Sequence, residues 1–157
     1  MRIKLLVIGN TDDSELSELI QKFHKRIDRY VKFSIEIIPD IKQSKNLSKK
    51  QQKEKEGELI ISKISPTDKL FIFDENGELF DSIEFSNFIQ KQMNSGAKQI
   101  IFAIGGPYGF SKEIYKKAIS KISLSKMTFS HQMVRLIAVE QIYRGLTILK
   151  NEPYHHR

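Results

Sequence analysis

Short apolar runs alternate along this chain with longer amphipathic stretches. The apolar runs fall at residues 3–8, 33–38, 69–74 and 99–104, each of strand length. Runs of this kind are typical of buried strands, whereas the longer stretches between them have the periodicity of helices. The alternation predicts an α/β fold, with a mainly parallel sheet that is flanked by helices.

Polar capping residues predict where the helices begin. Asp12 or Asp13 precedes a helix that ends near Asp28, and Ser48 precedes a charged helix over residues 49–63. Gly57 lies inside that charged helix and is expected to destabilise it. The other predicted elements are a loop over residues 41–47, a turn over 74–77, a helix from Asp81 to Asn94, a short helix from Ser111, a weak strand over 121–124 and a final helix over 130–149.

The final helix is apolar on nearly every face. Its apolar residues are Met133, Val134, Leu136, Ile137, Ala138, Val139, Ile142, Tyr143, Leu146, Ile148 and Leu149. A helix of this kind does not belong on the surface of a small monomer. We therefore expect it to be sandwiched in the core or packed against a second subunit.

The loops that follow the strands are the expected functional regions, because ligands of parallel sheets bind beyond the carboxyl ends of the strands. These loops are residues 9–12, 74–78, 105–111 and 124–130. The glycines of residues 105–109 let the backbone approach a ligand closely, although a tight turn explains them equally well. Their spacing matches neither the dinucleotide-binding fingerprint nor the Walker A loop. The mixture of small polar and apolar groups in residues 124–129 suits an adenine or a ribose.

Polar side chains of the final helix supply further candidates. His131 and Arg135 are four residues apart, and so are Glu140 and Arg144, which predicts a shared helix face for each pair. For Glu140 and Arg144, a simple ion pair is the straightforward interpretation. No spacing of histidines and carboxylates indicates a metal site, and Ser125 with His131 lacks the setting of a hydrolase nucleophile.

Length and composition narrow the protein class. The chain has 157 residues, of which 39% are apolar, and we expect a single domain over residues 1–157. The absence of cysteine excludes disulfide scaffolds, thiolate nucleophiles and iron–sulfur centres, and agrees with a reducing cytosol. The N-terminal sequence lacks the features of a signal peptide, and no apolar stretch is long enough to span a bilayer. We therefore expect a cytoplasmic protein.

The positive charge is unevenly distributed. Of the net charge of +7, residues 111–157 supply nine basic and three acidic residues, whereas residues 64–110 carry three basic and six acidic ones. This asymmetry indicates a surface for a polyanion such as nucleic acid. The lysine-rich residues 49–55 are interpreted as a solvated helix face. The tail over residues 153–157 has the aromatic, imidazole and guanidinium groups that stack on bases and bind phosphate, although chain ends commonly fray.

Several of these segments, in this order, resemble the RlmH family, the smallest SPOUT-class methyltransferases, which modify a pseudouridine in bacterial large-subunit ribosomal RNA. The resemblance covers the whole length of the chain, and the ordered set of motifs is highly specific. The segments that carry it are Ile3–Gly9, Lys55–Glu58, Ile104–Gly109, Leu124–Phe129, His131–Arg135, Val139–Arg144 and Pro153–His155.

The resemblance implies an α/β knot, in which the C-terminal part threads through a loop as a trefoil and forms a site for S-adenosylmethionine. It also implies a homodimer. The cofactor contacts of the family map onto Phe73, Gly105, Leu124, Ser125, Lys126, Met127, Thr128 and Phe129. The chain departs from the family pattern at Phe73, where leucine is frequent, and at Ser130, where proline usually precedes the histidine.

The expected function is N3-methylation of a pseudouridine in 23S rRNA, within the large subunit or the assembled ribosome, with no metal or membrane involved. The imide N3–H is a weak acid, so the reaction needs a base and a cation near a carbonyl oxygen. We expect Arg135 to stabilise charge, and the tail of one subunit to complete the site of the other. The catalytic candidates are His131, Arg135, Glu140, Tyr143, Arg144, Tyr154 and His155.

Two alternatives remain open from the sequence. One is a different SPOUT enzyme that methylates tRNA, although such enzymes usually carry extra RNA-binding segments. The other is an RNA-binding homologue without enzymatic activity. The intact glycine loop and residues 124–129 argue against the loss of cofactor binding.

Overall fold

A five-stranded sheet forms the centre of the computed structural model, which describes residues 1–156; Arg157 of the predicted RNA-binding tail lies outside the described residues. The strands are β1 (Arg2–Ile8), β2 (Lys32–Ile38), β3 (Lys69–Leu79), β4 (Gln99–Ile104) and β5 (Ser120–Ser123). Their order across the sheet is β2-β1-β4-β3-β5, and every neighbouring pair is parallel.

Helices cover both faces of the sheet. They are α1 (Ser14–Ile27), α2 (Lys49–Ser62), α3 (Ser82–Asn94), α4 (Lys112–Lys117) and α5 (Met133–Leu149), with a short 3-10 turn at Ser44–Asn46. Successive side chains of a strand point to opposite faces, so that Leu5 packs with α1, α3 and α5, whereas Leu6 packs with α2 and α4. The predicted α/β architecture is confirmed. Among the described residues, no helix is long and apolar enough to cross a membrane.

The predicted capping residues begin three of the helices. The Asp13 carboxylate accepts hydrogen bonds from the backbone N–H groups of Glu15 and Leu16 at 2.9 and 3.0 Å. Ser48 and Asp81 each form a complete capping box with the residue three positions later. A cap of this kind stabilises a helix by about 1 kcal/mol, which explains why local sequence alone predicts these boundaries.

Strand β3 differs from its prediction, because it does not end at a turn over residues 74–77. Phe73 and Glu78 both pair with Ile122 of β5, and the residues between them bulge out of the ladder. A side chain at Gly77 would lie 2.6 Å from the backbone of Ile122, so only glycine fits there. The bulge leaves Asp74 and its neighbours beyond the carboxyl end of the sheet.

The final helix packs against both α1 and α3, which confirms that it is sandwiched in the core. Gly145 permits the close approach to α3, since a Cβ there would lie 3.0 Å from the Ile89 side chain. The hydroxyl of Ser86 donates a hydrogen bond to the Gly145 carbonyl at 2.9 Å. Gly57 permits a similarly close approach of α2 to the start of α4. A Cβ at Gly57 would lie 2.5 Å from the Oγ atom of Ser111, the residue that caps α4.

The segment between β5 and α5 crosses the carboxyl end of the sheet. It leaves β5 at the outer edge, next to β3, and arrives at the end of β1, where Gln132 hydrogen-bonds with Asn10 and Asp12. The chain therefore passes β3 and β4 on its way to α5. This path is consistent with the C-terminal knot that the resemblance implies.

Candidate active site

A cavity of about 560 Å³ opens at the carboxyl ends of β3, β4 and β5. Three segments form most of its wall: the β3 bulge (residues 73–76), the glycine loop (residues 104–110) and the crossing segment (residues 123–129). Its volume lies in the range of small-molecule sites. Three of the four loops that were expected to carry function therefore converge here, whereas Asn10 and Thr11 line a second cavity of about 290 Å³.

The glycine loop owes its tight fold to its three glycines. Gly109 has a φ of 80°, a conformation that other residues rarely adopt, and its N–H donates to the Gly106 carbonyl at 3.1 Å. A Cβ at Gly105 would lie 3.2 Å from the Gly109 backbone. The loop therefore presents backbone rather than bulky side chains to the cavity at positions 105 and 106.

A buried carboxyl group supports this loop from behind. Glu56 of α2 is only 3% exposed, and a Cβ at Gly106 would lie 2.4 Å from its Oε2 atom. Burial raises the pKa of Glu56, and its Oε1 atom has no hydrogen-bond partner among the described residues. Sequence reasoning missed this residue, although the Lys55–Glu58 segment was one of those that carry the resemblance.

Two serines fix the crossing segment. The Ser123 hydroxyl donates to the Ser125 carbonyl at 2.9 Å, and the Ser125 hydroxyl accepts from the Met127 N–H at 2.9 Å. Lys126 is exposed and does not line the cavity. The other seven predicted cofactor residues do line it: Phe73, Gly105, Leu124, Ser125, Met127, Thr128 and Phe129.

The β3 bulge gives the cavity an acidic wall. Asp74 accepts hydrogen bonds from the Asn76 N–H at 2.8 Å and from the Tyr115 hydroxyl of α4. Burial, together with this carboxylate, raises the pKa of Tyr115 to about 12. Glu75 also lines the cavity. The two carboxylates and the neutral phenol favour a ligand with hydroxyl groups or positive charge, a property that sequence reasoning did not identify.

His131 and Arg135 do not share a helix face, contrary to the prediction. Helix α5 begins at Met133, whose N–H donates to Ser130 Oγ at 3.1 Å, so His131 lies in the turn that precedes the helix. His131 is exposed and lines the cavity. Ser130 therefore stabilises the start of α5, where the family usually has a proline.

Arg135 fastens α5 to the end of β1. Its guanidinium donates to the carbonyls of Ile8 and Gly9 at 2.6 and 2.8 Å and to the Thr11 hydroxyl at 3.1 Å. The residue is only 3% exposed, and this burial lowers the pKa of its guanidinium. Arg135 lines the second cavity and not the large one.

The C-terminal tail folds back onto α5. Asn151 adopts a φ of 55°, and the N–H of Glu152 donates to the Thr147 carbonyl at 3.0 Å. These are features of a Schellman motif, which ends a helix and reverses the chain. The reversal carries Tyr154 and His155 back along the helix, against which the tail packs.

The reversed tail completes a cluster around the predicted ion pair of Glu140 and Arg144, which is confirmed at 2.6 Å. The Tyr154 hydroxyl donates to Glu140 at 3.0 Å, and Arg144 Nη1 lies 3.2 Å from His155 Nδ1. The Tyr143 ring packs on that of Tyr154, with centroids 4.6 Å apart. Burial and the hydrogen bond to Glu140 raise the pKa of Tyr154. We call these five residues the tail cluster.

The cavity lies beside the start of α5, whereas the tail cluster packs against the middle and second half of this helix. Met133 and Arg144 are separated by roughly 16 Å along the helix axis at 1.5 Å per residue. Within one chain, His131 therefore lies at the cavity, and five other catalytic candidates lie in the tail cluster. Arg135 belongs to neither group. Within residues 1–156, no three histidines or carboxylates are grouped closely enough to hold a metal ion.

Comparisons with known proteins identify the family. A family model described as a predicted SPOUT methyltransferase matches residues 1–155. The ribosomal RNA large subunit methyltransferase H of Flavobacterium psychrophilum is 64% identical over 100% of both chains, and that of Parabacteroides distasonis is 56% identical over 99% of both. A probable methylase family protein from Haemophilus influenzae shares the fold, with a TM-score of 0.51 and 11% identity over 99% of this chain and 70% of that one. The chain therefore belongs to the SPOUT methyltransferases and, among them, to the RlmH family.

Proposed function

We propose that this protein transfers the methyl group of S-adenosylmethionine to N3 of a pseudouridine in 23S rRNA, in the cytoplasm, on the large subunit or the assembled ribosome. The observation that carries the proposal is the cavity at the carboxyl ends of β3, β4 and β5, which contains seven of the eight residues expected to bind the cofactor. The full-length relatives are named ribosomal RNA large subunit methyltransferases, which favours rRNA over tRNA as the substrate.

The cavity suits the methyl donor in size and in chemistry. Leu124 and Phe129 offer apolar walls for an adenine, whereas Asp74 and Glu75 offer carboxylates for ribose hydroxyls and for positive charge. Phe73, Gly105 and the crossing segment would hold the donor, which supplies an electrophilic methyl group when it is bound. Lys126 lies outside this cavity wall and would act at the surface instead.

His131 is the candidate within this chain for the proton at N3. Its imidazole is exposed at the cavity wall, and a ring nitrogen there could accept a proton from a weakly acidic imide. Arg135 serves a different purpose in this proposal from the expected charge stabilisation. Its bonds to the Ile8 and Gly9 carbonyls hold the start of α5, and with it His131, against the sheet.

The tail cluster requires a second copy of the chain to reach the reaction. We propose a twofold homodimer in which α5 of each subunit runs past its partner, so that the tail of one subunit meets the cavity of the other. Large apolar side chains remain exposed in the single chain, at Leu19 of α1 (42%), Ile37 of β2 (45%) and Met133 of α5 (40%). Burial of these residues would stabilise the dimer. The guanidinium of Arg144 would then stabilise the negative charge that develops on the base, while Tyr154 would help to position that guanidinium through Glu140.

The proposal is tested in a strain that lacks this gene, with mass spectrometry and primer extension on its rRNA. The expected result is the loss of one N3-methylated pseudouridine from 23S rRNA and its restoration by the purified protein with S-adenosylmethionine. A titration with S-adenosylhomocysteine accompanies the assay. Restored methylation of tRNA instead, or cofactor binding without any methyl transfer, would overturn the proposal in favour of one of the two alternatives.

A further inference from the structure

A surface of lysines lies beside the cavity and has no role in the function described so far. Residues 42–53 contain five lysines and no acidic residue: Lys42, Lys45, Lys49, Lys50 and Lys53. Four of them are exposed, and Lys53 is half-buried. In the part of the chain that the structure describes, none of the five has a carboxylate within ion-pair distance. We call these residues the lysine surface.

The position of this charge is unfavourable for the fold. The first turn of α2 begins with Lys49 and Lys50 and, like that of α5, has no acidic residue, whereas the first turns of α1, α3 and α4 contain Glu15, Glu84 and Glu113. Backbone N–H groups make the start of a helix positive, so lysines there repel it. Local conflicts of this kind are expected where the sequence serves a binding partner rather than stability. A dense anion is the partner that would offset the repulsion.

Lys49 connects the lysine surface to the cavity. Lys49 Nζ lies 5.3 Å from the centre of the Tyr108 ring, and Tyr108 belongs to the glycine loop and lines the cavity. Tyr108 is 44% exposed. An exposed aromatic ring beside an ammonium group can stack on a base while the cation binds phosphate.

A second position on the cavity wall repeats this pairing. Tyr115 of α4 also lines the cavity and is 40% exposed, with Lys121 Nζ 5.7 Å from the centre of its ring. Helix α2 packs against α4, which adds the exposed Lys112, Lys116 and Lys117 to the same side of the sheet. An acidic protein would be bound by the lysines alone. An RNA strand would also stack its bases on the exposed rings of Tyr108 and Tyr115, which favours RNA as the partner.

We infer that the lysine surface binds the phosphate backbone of the RNA strand that delivers the target base to the cavity. The inference rests on the proposed function, since it identifies how the same site holds its substrate. It also revises the interpretation of residues 49–55 as a merely solvated helix face. A strand that inserts a base at the cavity carries its neighbouring phosphates across the rim where Tyr108 and Lys49 lie.

Two triple variants with the same change in charge test the inference. The first replaces three exposed members of the lysine surface that do not contact a cavity residue: Lys42→Gln, Lys45→Gln and Lys50→Gln. The control is Lys32→Gln, Lys91→Gln and Lys98→Gln, which are also exposed and, within residues 1–156, free of ion pairs. Lys32 begins β2 and Lys98 precedes β4, so both lie at the amino edge of the sheet, opposite the cavity.

Methyl transfer to ribosomes from the deletion strain, and binding to protein-free 23S rRNA, are measured over a range of salt concentrations. The lysine-surface variant should weaken RNA binding and raise KM by about 10- to 100-fold near 0.1 M salt, and reduce the slope of log affinity against log salt by about 2 to 3. The control should change both quantities by less than about threefold, because distant exposed charges are screened. Affinity for S-adenosylhomocysteine should be unchanged in both variants.

The outcomes separate this inference from the proposed function. Equal losses in the two variants, or no loss in either, would overturn the inference. A loss of affinity for ribosomes but not for protein-free rRNA would overturn it as well, because the partner would then be a ribosomal protein. Failure of the unaltered protein to methylate rRNA would overturn the proposed function instead, and the binding measurements on rRNA would still decide the inference.

Discussion

The hydroxyl of Tyr154 donates a hydrogen bond of 3.0 Å to the carboxylate of Glu140, and this bond closes the C-terminal tail onto α5. The same Glu140 oxygen accepts from Arg144 at 2.6 Å. Because one carboxylate holds both groups, the phenol and the guanidinium are in place before any substrate arrives. Such preorganisation is what a site that stabilises developing charge needs.

Replacement of this phenol should affect catalysis more than stability. Tyr154→Phe removes the hydrogen bond to Glu140, which holds Arg144 in place, and should lower kcat by about tenfold, less than the roughly 10²- to 10³-fold loss expected for removal of a transition-state donor itself. Tyr30→Phe is the matched control, because the Tyr30 hydroxyl also donates to a carboxylate near the tail, that of Glu152. Both variants should lose about 1 kcal/mol of unfolding free energy by denaturant titration. Similar losses of kcat in the two variants would show that the tail acts only through stability.

Deletion of residues 154–157 should abolish methyl transfer while S-adenosylhomocysteine affinity and dimer formation persist. The deletion removes Tyr154 and His155 from the tail cluster but only one permanent cation, that of Arg157, equivalent to about one phosphate contact. Arg157→Ala should therefore lose much less activity in the same assay. If the two variants lose activity equally, the tail acts only as an electrostatic anchor.

The elements were predictable where local sequence decides them. Asp13, Ser48 and Asp81 cap their helices through neighbouring backbone groups, and the buried strands consist of continuous apolar residues. The bulge of β3 was not predictable, because it exists only through pairing of Phe73 and Glu78 with the distant Ile122. The prediction that His131 lies on the final helix was wrong for a related reason. The sequence pattern predicted a helix from residue 130. In the structure the Ser130 hydroxyl accepts a hydrogen bond from the Met133 N–H, and α5 begins only at Met133.

The candidate site was predictable as a set of loops but not as a set of contacts. Strand ends and the family resemblance identified seven residues of the cavity wall, since parallel strands bring their carboxyl ends together. Glu56 lies among lysines in the sequence and resembles a solvated residue. It is buried against Gly106, fifty positions away, and a contact so distant in sequence leaves no local pattern. The separation of the tail cluster from the cavity likewise depends on the length of α5.

The backbone of Gly109 should be more important for cofactor binding than for stability. Gly109→Ala places a side chain at a φ of 80° with nothing within 4 Å of its Cβ, so strain of about 1–2 kcal/mol is the only direct effect. Gly96→Ala is a close control, because Gly96 has a φ of 76° and is equally open. Both should reduce stability alike in thermal unfolding. Only Gly109→Ala should weaken S-adenosylhomocysteine binding, by about tenfold in calorimetry; equal affinities in the two variants would contradict a binding role for the loop.

Glu56 should make stability depend on pH. Burial raises its pKa above the usual 4.5, so the folded protein holds this proton more tightly than the unfolded chain. The resulting stabilisation is complete below the unfolded pKa and is lost as the pH rises through the folded pKa. Relative to Glu56→Gln, the unaltered protein should therefore lose unfolding free energy as the pH rises above 4.5. Denaturant titrations across this range check it, with the exposed Glu58→Gln as control; parallel curves for the unaltered protein and Glu56→Gln would contradict the prediction.

The central claim is that the cavity of one subunit and the tail cluster of its partner form one site. Co-expression of His131→Ala with the tail deletion tests it most directly, because a mixed dimer then holds one site with both an intact His131 and an intact tail. Each variant alone should be inactive and should remain a dimer of about 37 kDa by light scattering, twice the chain mass of 18.3 kDa. Random pairing makes half of the dimers mixed, so the co-expressed protein should regain about a quarter of the methyl-transfer activity per site. No recovery above the separate variants would contradict the shared site, because each chain would then carry its own complete site with its own defect.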